Sequence, residues 1–408
     1  MPCGLTRSLH LKPKSQTVHQ NSHSMSTVTF LPKQVSKDEK PAHHVGNPPT
    51  SFINPWPSFD ASQVTGLKLL KTKLSRDRPA FIPVPERSEL VPIRKPDWSG
   101  ASSAFKLTWI GHASFLVESS KAGGRERGVR ILFDPVFSER TSPTQFFGPK
   151  RYSPTPCAMD ELPDVDAVVI SHNHYDHLDL ATITYLSQRR KRNIHFFAPL
   201  GNASWFISLG IPSDQVTELD WWDATVLDVP SIGKIQLTCT PNQHGSGRSI
   251  LDHGSTLWSS WALREIPIDE TKAGRKLFFA GDTGYRSVPS NGLAAAEEAK
   301  FPSCPAFKEV GEQLGPFDVA LLPIGLCEPR HFMSPVHCNP WDSVEIHKDI
   351  KSKVSIGMHW GTVRGGLSQD YEDVRDPPRW WKQASETAGL KWGQEARLLD
   401  VGETFVVE

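Results

Sequence analysis

DVDAVVISHNHYDHLD, residues 164–179, sets three histidines and two aspartates directly behind an apolar run. The run ends at Ile170 and has the length and Val/Ile content of a buried strand. The residues that follow, SHNHYDHLD (171–179), therefore start at a strand end. His172 and His174 are two apart, so in an extended loop they point the same way while Asn173 points away. With a helix starting near Asp176, the side chains of Asp176 and His177 diverge from that pair by a few ångströms. Such a spread suits two neighbouring metal ions. Imidazole with carboxylate suits zinc, with iron or manganese as alternatives. A solvated His-rich loop is the competing reading, and the apolar strand in front argues against it.

Two ions need more donors than these four side chains. Open sites collect where a rigid sheet presents its strand ends. Three distal residues meet that description: His244 beyond KIQLTCT (234–240), Asp282 ending KLFFAGD (276–282), and His359 ending KVSIGMHW (353–360).

Further strands are expected at 105–118, 129–137, 195–199, 224–229, 255–263, 318–325 and 403–408. Helices are expected at 180–191, 292–300 and 339–351, the last with Asn339 as cap and Pro340 at its first position. Many strands with interspersed helices suggest an α/β fold, a mixed sandwich of sheets. Residues 1–50 are polar and His/Ser/Pro-rich and read as a disordered tail. Residues 51–104 read as an extended Pro-rich arm packing on the core, with Phe52, Ile53 and Trp56 as interfacial anchors. Residues 105–408 are expected to form the globular domain that carries the strand-end donors.

Among 408 residues, 45 are Lys or Arg and 45 Asp or Glu, which leaves no basic excess for long nucleic acid. Six scattered cysteines without a CxxC pair fit a reducing intracellular compartment. The first 37 residues lack Asp and Glu, so they read as either a mitochondrial import signal or a plain tail. No run is apolar and long enough for a membrane-spanning helix. No GxSxG nucleophile elbow occurs.

The HxHxDH cluster with later strand-end His, Asp and His resembles the metallo-β-lactamase superfamily. NPWPSF (54–59), TWIGHASFLV (108–117), DPVFSERTSPTQFFGPKRY (134–152), ISHNHYDHLD (170–179), GDTGY (281–285) and EPRHFM (328–333) resemble one branch of it. That branch is the N-acyl-phosphatidylethanolamine-hydrolysing phospholipase D family, and the likeness covers roughly residues 52–408. It implies an αβ/βα sandwich of two mixed β-sheets flanked by helices, with two zinc ions per chain. His172, His174 and His244 would hold one ion, Asp176, His177 and His359 the other, with Asp282 bridging. Tyr175 and His337 match substrate-associated positions, and Asp134 a carboxylate that orients a ligand histidine.

The implied chemistry is attack of an activated water on a phosphodiester, giving phosphatidic acid and an N-acylethanolamine. Asp176 or Asp282 would orient the nucleophile, and His337 could protonate the leaving oxygen. Lys150, Arg151 and Arg330 are candidate phosphate contacts. Expected partners are the phospholipid and a membrane surface, bound peripherally, with no nucleic acid and a homodimer left open. Two other readings stay open: a superfamily hydrolase of another phosphodiester or a lactone, and a non-catalytic, membrane-docked protein that binds zinc and lipid.

Overall fold

The computed structural model describes residues 26–32, 40–75, 79–98, 104–121, 123–189, 194–249, 251–269 and 271–407. Residues 1–25, which hold most of the acid-poor start, lie outside them. Two sheets face each other. One has eight strands in the spatial order Thr27–Phe30, Ala224–Val229, Gly233–Thr240, Ser260–Ile266, Lys276–Phe279, Phe317–Pro323, Ser352–Met358 and Ala396–Arg397. The other runs Val216–Leu219, His195–Pro199, Ala167–Val169, Arg130–Phe133, Ser114–Glu118, Lys106–Gly111 and Thr404–Val406. Both mix parallel and antiparallel pairs.

The apolar runs are nearly continuous because these strands are buried on both faces. In the strand Arg130–Phe133, Ile131 and Phe133 enter the core between the sheets, while Leu132 enters a second core outside them. Phe115 and Val117 divide from Leu116 in the same way, and Ala167 and Val169 from Val168. Period-two alternation thus feeds two cores from one strand. Phe133 meets Phe279 of the facing sheet at 4.8 Å between ring centroids, a pairing worth about 0.5–1.5 kcal/mol beyond area burial. The outer core takes Ile183 and Leu186 from the helix Leu180–Arg189 and Phe206 from Ala203–Ser208. Helices Ala306–Gln313, Pro340–Asp349 and Asp376–Thr387 pack together beyond the eight-stranded sheet. The expected αβ/βα sandwich is the observed one.

Asn339 caps the helix Pro340–Asp349 as expected, its Oδ1 accepting from the Asp342 amide at 2.9 Å. The helix Asp376–Thr387 escaped sequence reading because it begins DPPRWW. Both prolines stand in its first turn, where no amide is needed and the helix tolerates them. The expected helix at 292–300 shrinks to the turn Ala295–Glu298.

The tail and arm need correction. Within residues 1–50, Thr27–Phe30 is an edge strand paired antiparallel with Ala224–Val229. His44–Gly46 pairs with Pro49–Phe52. The four residues of the edge strand, TVTF, are β-branched or aromatic and Val28 packs on the core, but a strand this short is outweighed by the polar His/Ser/Pro-rich stretch around it. The arm is not wholly extended: Gly66–Leu74 is a helix capped by the Thr65 hydroxyl. Its anchors also point elsewhere than expected. Phe52 is buried and Trp56 stacks on Trp221 at 5.3 Å, leaving Ile53 exposed.

Candidate metal centre

Strand ends from both sheets meet at one edge of the sandwich. The loop after Ala167–Val169 is pinned from the opposite sheet: Trp261 Nε1 donates to the Ile170 carbonyl at 3.0 Å, and the Ser259 amide to that of Ser171 at 2.9 Å. Asn242 Nδ2 donates to the carbonyls of Ala280 and Asp282, fixing the turn that carries the aspartate. Gly281 in that turn has φ +59, and a Cβ there would lie 2.7 Å from that of Ser171. Only glycine allows the two loops this approach.

The structure brings together all seven residues named as ligands. His174 Nδ1 lies 2.8 Å from His172 Nε2 and 3.3 Å from His244 Nε2. Asp282 stands between this trio and a second group. Its Oδ2 is 3.1 Å from His177 Nε2 and 3.9 Å from His244 Nε2, and its Oδ1 is 3.0 Å from His359 Nε2. Asp176 Oδ2 lies 3.8 Å from His359 Nε2 and 3.9 Å from His177 Nε2.

Surrounding groups orient the donors. Asp134 Oδ2 accepts from Ser171 Oγ at 2.5 Å and lies 2.6 Å from His177 Nδ1. His244 Nδ1 faces the Val336 carbonyl at 2.7 Å. The Asn54 side chain brackets the His244 backbone, Nδ2 donating to its carbonyl at 2.7 Å and Oδ1 accepting from its amide at 3.2 Å. The NPWPSF arm is thereby a brace for the site. Asn54→Ala should weaken metal retention by about 10–100-fold, the usual effect of removing a group that orients a ligand. Competition with a chelator measures this, and unchanged retention would refute the bracing role.

These donors suit divalent metals. Four buried atoms, His177 Nε2, His359 Nε2, His337 Nδ1 and Asp282 Oδ1, have no aligned hydrogen bond. Three of them face an opposite charge at 3.0–3.1 Å without hydrogen-bond alignment, and a shared cation would satisfy all four. The charges agree. Burial pushes the Asp282 carboxyl up, but His177 and His359 beside it outweigh burial and hold it well below the usual range. Burial lowers the two imidazoles, yet Asp282 above all lifts His177 well above its ordinary value and His359 to about 9. Protons here supply the positive charge that a bound cation would supply after displacing them.

His112 is the residue that sequence reading missed. It occupies the tip of the hairpin between Lys106–Gly111 and Ser114–Glu118, fully buried, with φ +54. Its Nε2 is 3.2 Å from Asp176 Oδ2, and its ring lies 4.1 Å from that of His359. Burial pushes it down to about 3, so it is neutral and free to position the carboxylate. The only local signal was a Gly-His pair between two apolar runs. His112, Asp134 and His359 are three of seven non-glycine residues with positive φ among the described residues, backbone strain of the kind that gathers at working sites.

A cleft of about 290 Å³ opens onto His174, Asp176, Asp282 and His337, with Leu326, Phe332, Met333 and Leu367 among its apolar walls. His337 Nδ1 lies 3.9 Å from Asp282 Oδ2. Tyr175 is half-buried beside the ligand loop, its ring covered by the Arg248 guanidinium at 4.1 Å, and it is not among the cleft walls.

Arg330 is not the phosphate contact expected. It is 2% exposed, and its guanidinium donates to Glu298, to Asp342 at 2.7 Å and to the His337 carbonyl at 3.2 Å. Its charge is neutralised internally, and it positions the His337 segment. Arg151 is likewise buried and turned to the carbonyls of Val136 and Ser138, and exposed Lys150 pairs with Glu139.

Beside Arg330, burial pushes Glu328 up to about 7, with Arg330 drawing it partly back. Its folded value exceeds the usual 4.5, so the fold favours the neutral acid. That stabilisation is complete below about pH 4.5 and is lost as pH rises through about 7. Glu328→Gln is neutral throughout. Relative to it, the natural chain should lose on the order of 3 kcal/mol across this window. Urea midpoints measured against pH test this, and parallel profiles would refute it.

A model of a beta-lactamase superfamily domain matches residues 129–360. "N-acyl-phosphatidylethanolamine-hydrolyzing phospholipase D 1" of Caenorhabditis elegans is 40% identical over 283 residues, which span 69% of this chain and 70% of that protein. The Saccharomyces cerevisiae protein of the same activity name, qualified as mitochondrial, is 33% identical over 74% of this chain and 56% of its own length. The chain thus spans little more than half of the yeast relative. Among solved structures, an isothiocyanate hydrolase from Delia radicum gut bacteria aligns with TM-score 0.50 at 16% identity, covering 74% of this chain and 98% of that one. That last likeness is one of fold.

Proposed function

The chain belongs to the beta-lactamase superfamily and, within it, to the N-acyl-phosphatidylethanolamine-hydrolysing phospholipase D family; from that membership we propose that it is a zinc-dependent phosphodiesterase cleaving N-acyl-phosphatidylethanolamine to N-acylethanolamine and phosphatidic acid. The observation that carries the reading is the placement of Asp282 between two groups of imidazole and carboxylate donors at the floor of an apolar-walled cleft. His172, His174 and His244 would hold one ion, and Asp176, His177 and His359 the second, with Asp282 shared. The metals, when bound, supply a water of lowered pKa and a Lewis acid for a phosphoryl oxygen.

The chain's own residues do the remainder. His112 holds the Asp176 carboxylate in place. Asp176 and Asp282 orient the nucleophile. His337, at the cleft wall, offers a ring N–H to the phosphoryl or leaving oxygen.

A lipid substrate is also supported by the rim. Leu67, Leu70 and Leu74 are exposed along the helix Gly66–Leu74, whose Leu69 and Lys73 line the cleft. Phe146 and Phe147 are exposed in the loop between Thr141 and Pro149, which also line it. Apolar side chains around a cleft mouth suit peripheral membrane docking, and no helix among the described residues is long and apolar enough to cross a membrane. An intracellular membrane surface is the expected location. The mitochondrion is the organelle to test by fractionation, and a homodimer the assembly to test by sedimentation.

The deciding experiment incubates the protein in ¹⁸O-water with N-acyl-phosphatidylethanolamine, phosphatidylcholine, a lactone and a β-lactam, with and without chelator. Phosphatidic acid should carry the label, N-acylethanolamine should not, and chelator should stop both. Turnover of the lactone alone would favour the second hydrolase reading. Lipid binding without turnover would favour the non-catalytic one.

A further inference from the structure

Outside the cleft, His43, His44 and Asp220 bring three donor atoms within 4.8 Å of one another. The arrangement joins the N-terminal arm to the core. A turn closed by the His44 amide on the Pro41 carbonyl at 3.0 Å lets consecutive histidines face one carboxylate. His43 Nε2 is 2.7 Å from Asp220 Oδ1, and His44 Nε2 is 3.1 Å from Oδ2. The Trp221 amide also donates to Oδ1 at 2.8 Å, which fixes the carboxylate. Aromatic rings enclose the trio: Trp221 stacks on His43 at 4.1 Å, and Phe52 meets His44 edge-on at 5.5 Å.

Two observations point beyond a simple hydrogen-bonded triad. His44 Nε2 is buried and makes no aligned hydrogen bond, although the carboxylate is within reach. The two imidazoles also stand as those of the catalytic cluster do. Their centroids are 4.4 Å apart at 71°, against 4.5 Å and 83° for His172 with His174, and 4.5 Å and 77° for His172 with His244. Steeply crossed imidazoles around a carboxylate are a donor set suited to tetrahedral zinc with water as fourth ligand.

We propose that His43, His44 and Asp220 form a separate structural site for a divalent transition metal, zinc being the first candidate, that clasps the N-terminal arm to the core. The arm then carries the effect inward. The Ile53 amide bonds the His43 carbonyl at 3.0 Å, and the next residue, Asn54, brackets His244. Occupancy of the outer site therefore steadies a residue of the catalytic cluster without contributing a donor to it.

Total metal per chain, measured on the full-length protein after zinc loading and desalting, should fall by one equivalent in His44→Gln. The natural chain should show a zinc-edge anomalous peak within reach of all three side chains. Zinc should also raise the melting temperature of the natural chain by more than that of the variant. The diffraction measurement needs no variant, so a misfolded His44→Gln leaves the question decidable. Equal metal content in a folded variant, or no anomalous density at the trio in zinc-loaded crystals, overturns the site. Neither readout depends on which substrate the cleft accepts.

Discussion

Asp282→Asn should lower turnover by at least about 10³-fold while the sandwich stays folded. The residue is 2% exposed and, among the described residues, is the one carboxylate within 3.1 Å of both His177 and His359. Asparagine keeps the shape and the backbone bonds from Asn242, because those go to the carbonyls of Ala280 and Asp282. It removes the negative charge around which both donor groups are arranged. Metal-based stabilisation of a phosphoryl transition state is worth several kcal/mol, and each 1.36 kcal/mol is a factor of ten in rate. Loss of the shared anion should also lower the metal content. Steady-state rates beside metal analysis would measure both effects, and a variant retaining a tenth of the activity with full metal content would remove Asp282 from its proposed place.

Arg330→Ala should instead unfold the protein more readily, by about 3–5 kcal/mol. Removing one member of a buried ionic cluster strands the others, and the penalty is of that order. Glu298 and Asp342 would be left facing each other, both buried, without their shared cation. Arg286 Nε, 2.9 Å from Asp342 Oδ1, compensates only on the far side. Arg330→Lys should recover little, since one ammonium cannot reach Glu298, Asp342 and the His337 carbonyl in the planar geometry of a guanidinium. Urea unfolding separates this role from phosphate binding. If Arg330 touched substrate, KM would rise at unchanged stability, and that pattern would contradict the structure.

What the chain reveals linearly is what depends on spacing. Runs such as VDAVVI and RILF announce strands buried on both faces, and HxHxDH announces its donors because they share one loop. His244, Asp282 and His359 are legible one step further on, each standing just beyond an apolar strand. Parallel and antiparallel strands of one sandwich deliver such ends to a common edge, so their convergence follows once the fold class is read.

Other features depend on partners far away in the chain. Arg330 looks like a surface cation until Glu298 and Asp342 close on it, and Phe52 and Trp56 look like membrane anchors until His44 and Trp221 pack against them. His112 carries no pattern of its own; a hairpin with its tip turned inward makes it a neighbour of Asp176. Thr27–Phe30 is fixed by pairing with Ala224–Val229, a partner about two hundred residues away that its own four residues do not specify. Spacing along the backbone is covalent and can be read from one strand alone. Burial, charge neutralisation and edge pairing are settled only when distant surfaces meet, because each is a property of the pair and of the water that the pair excludes.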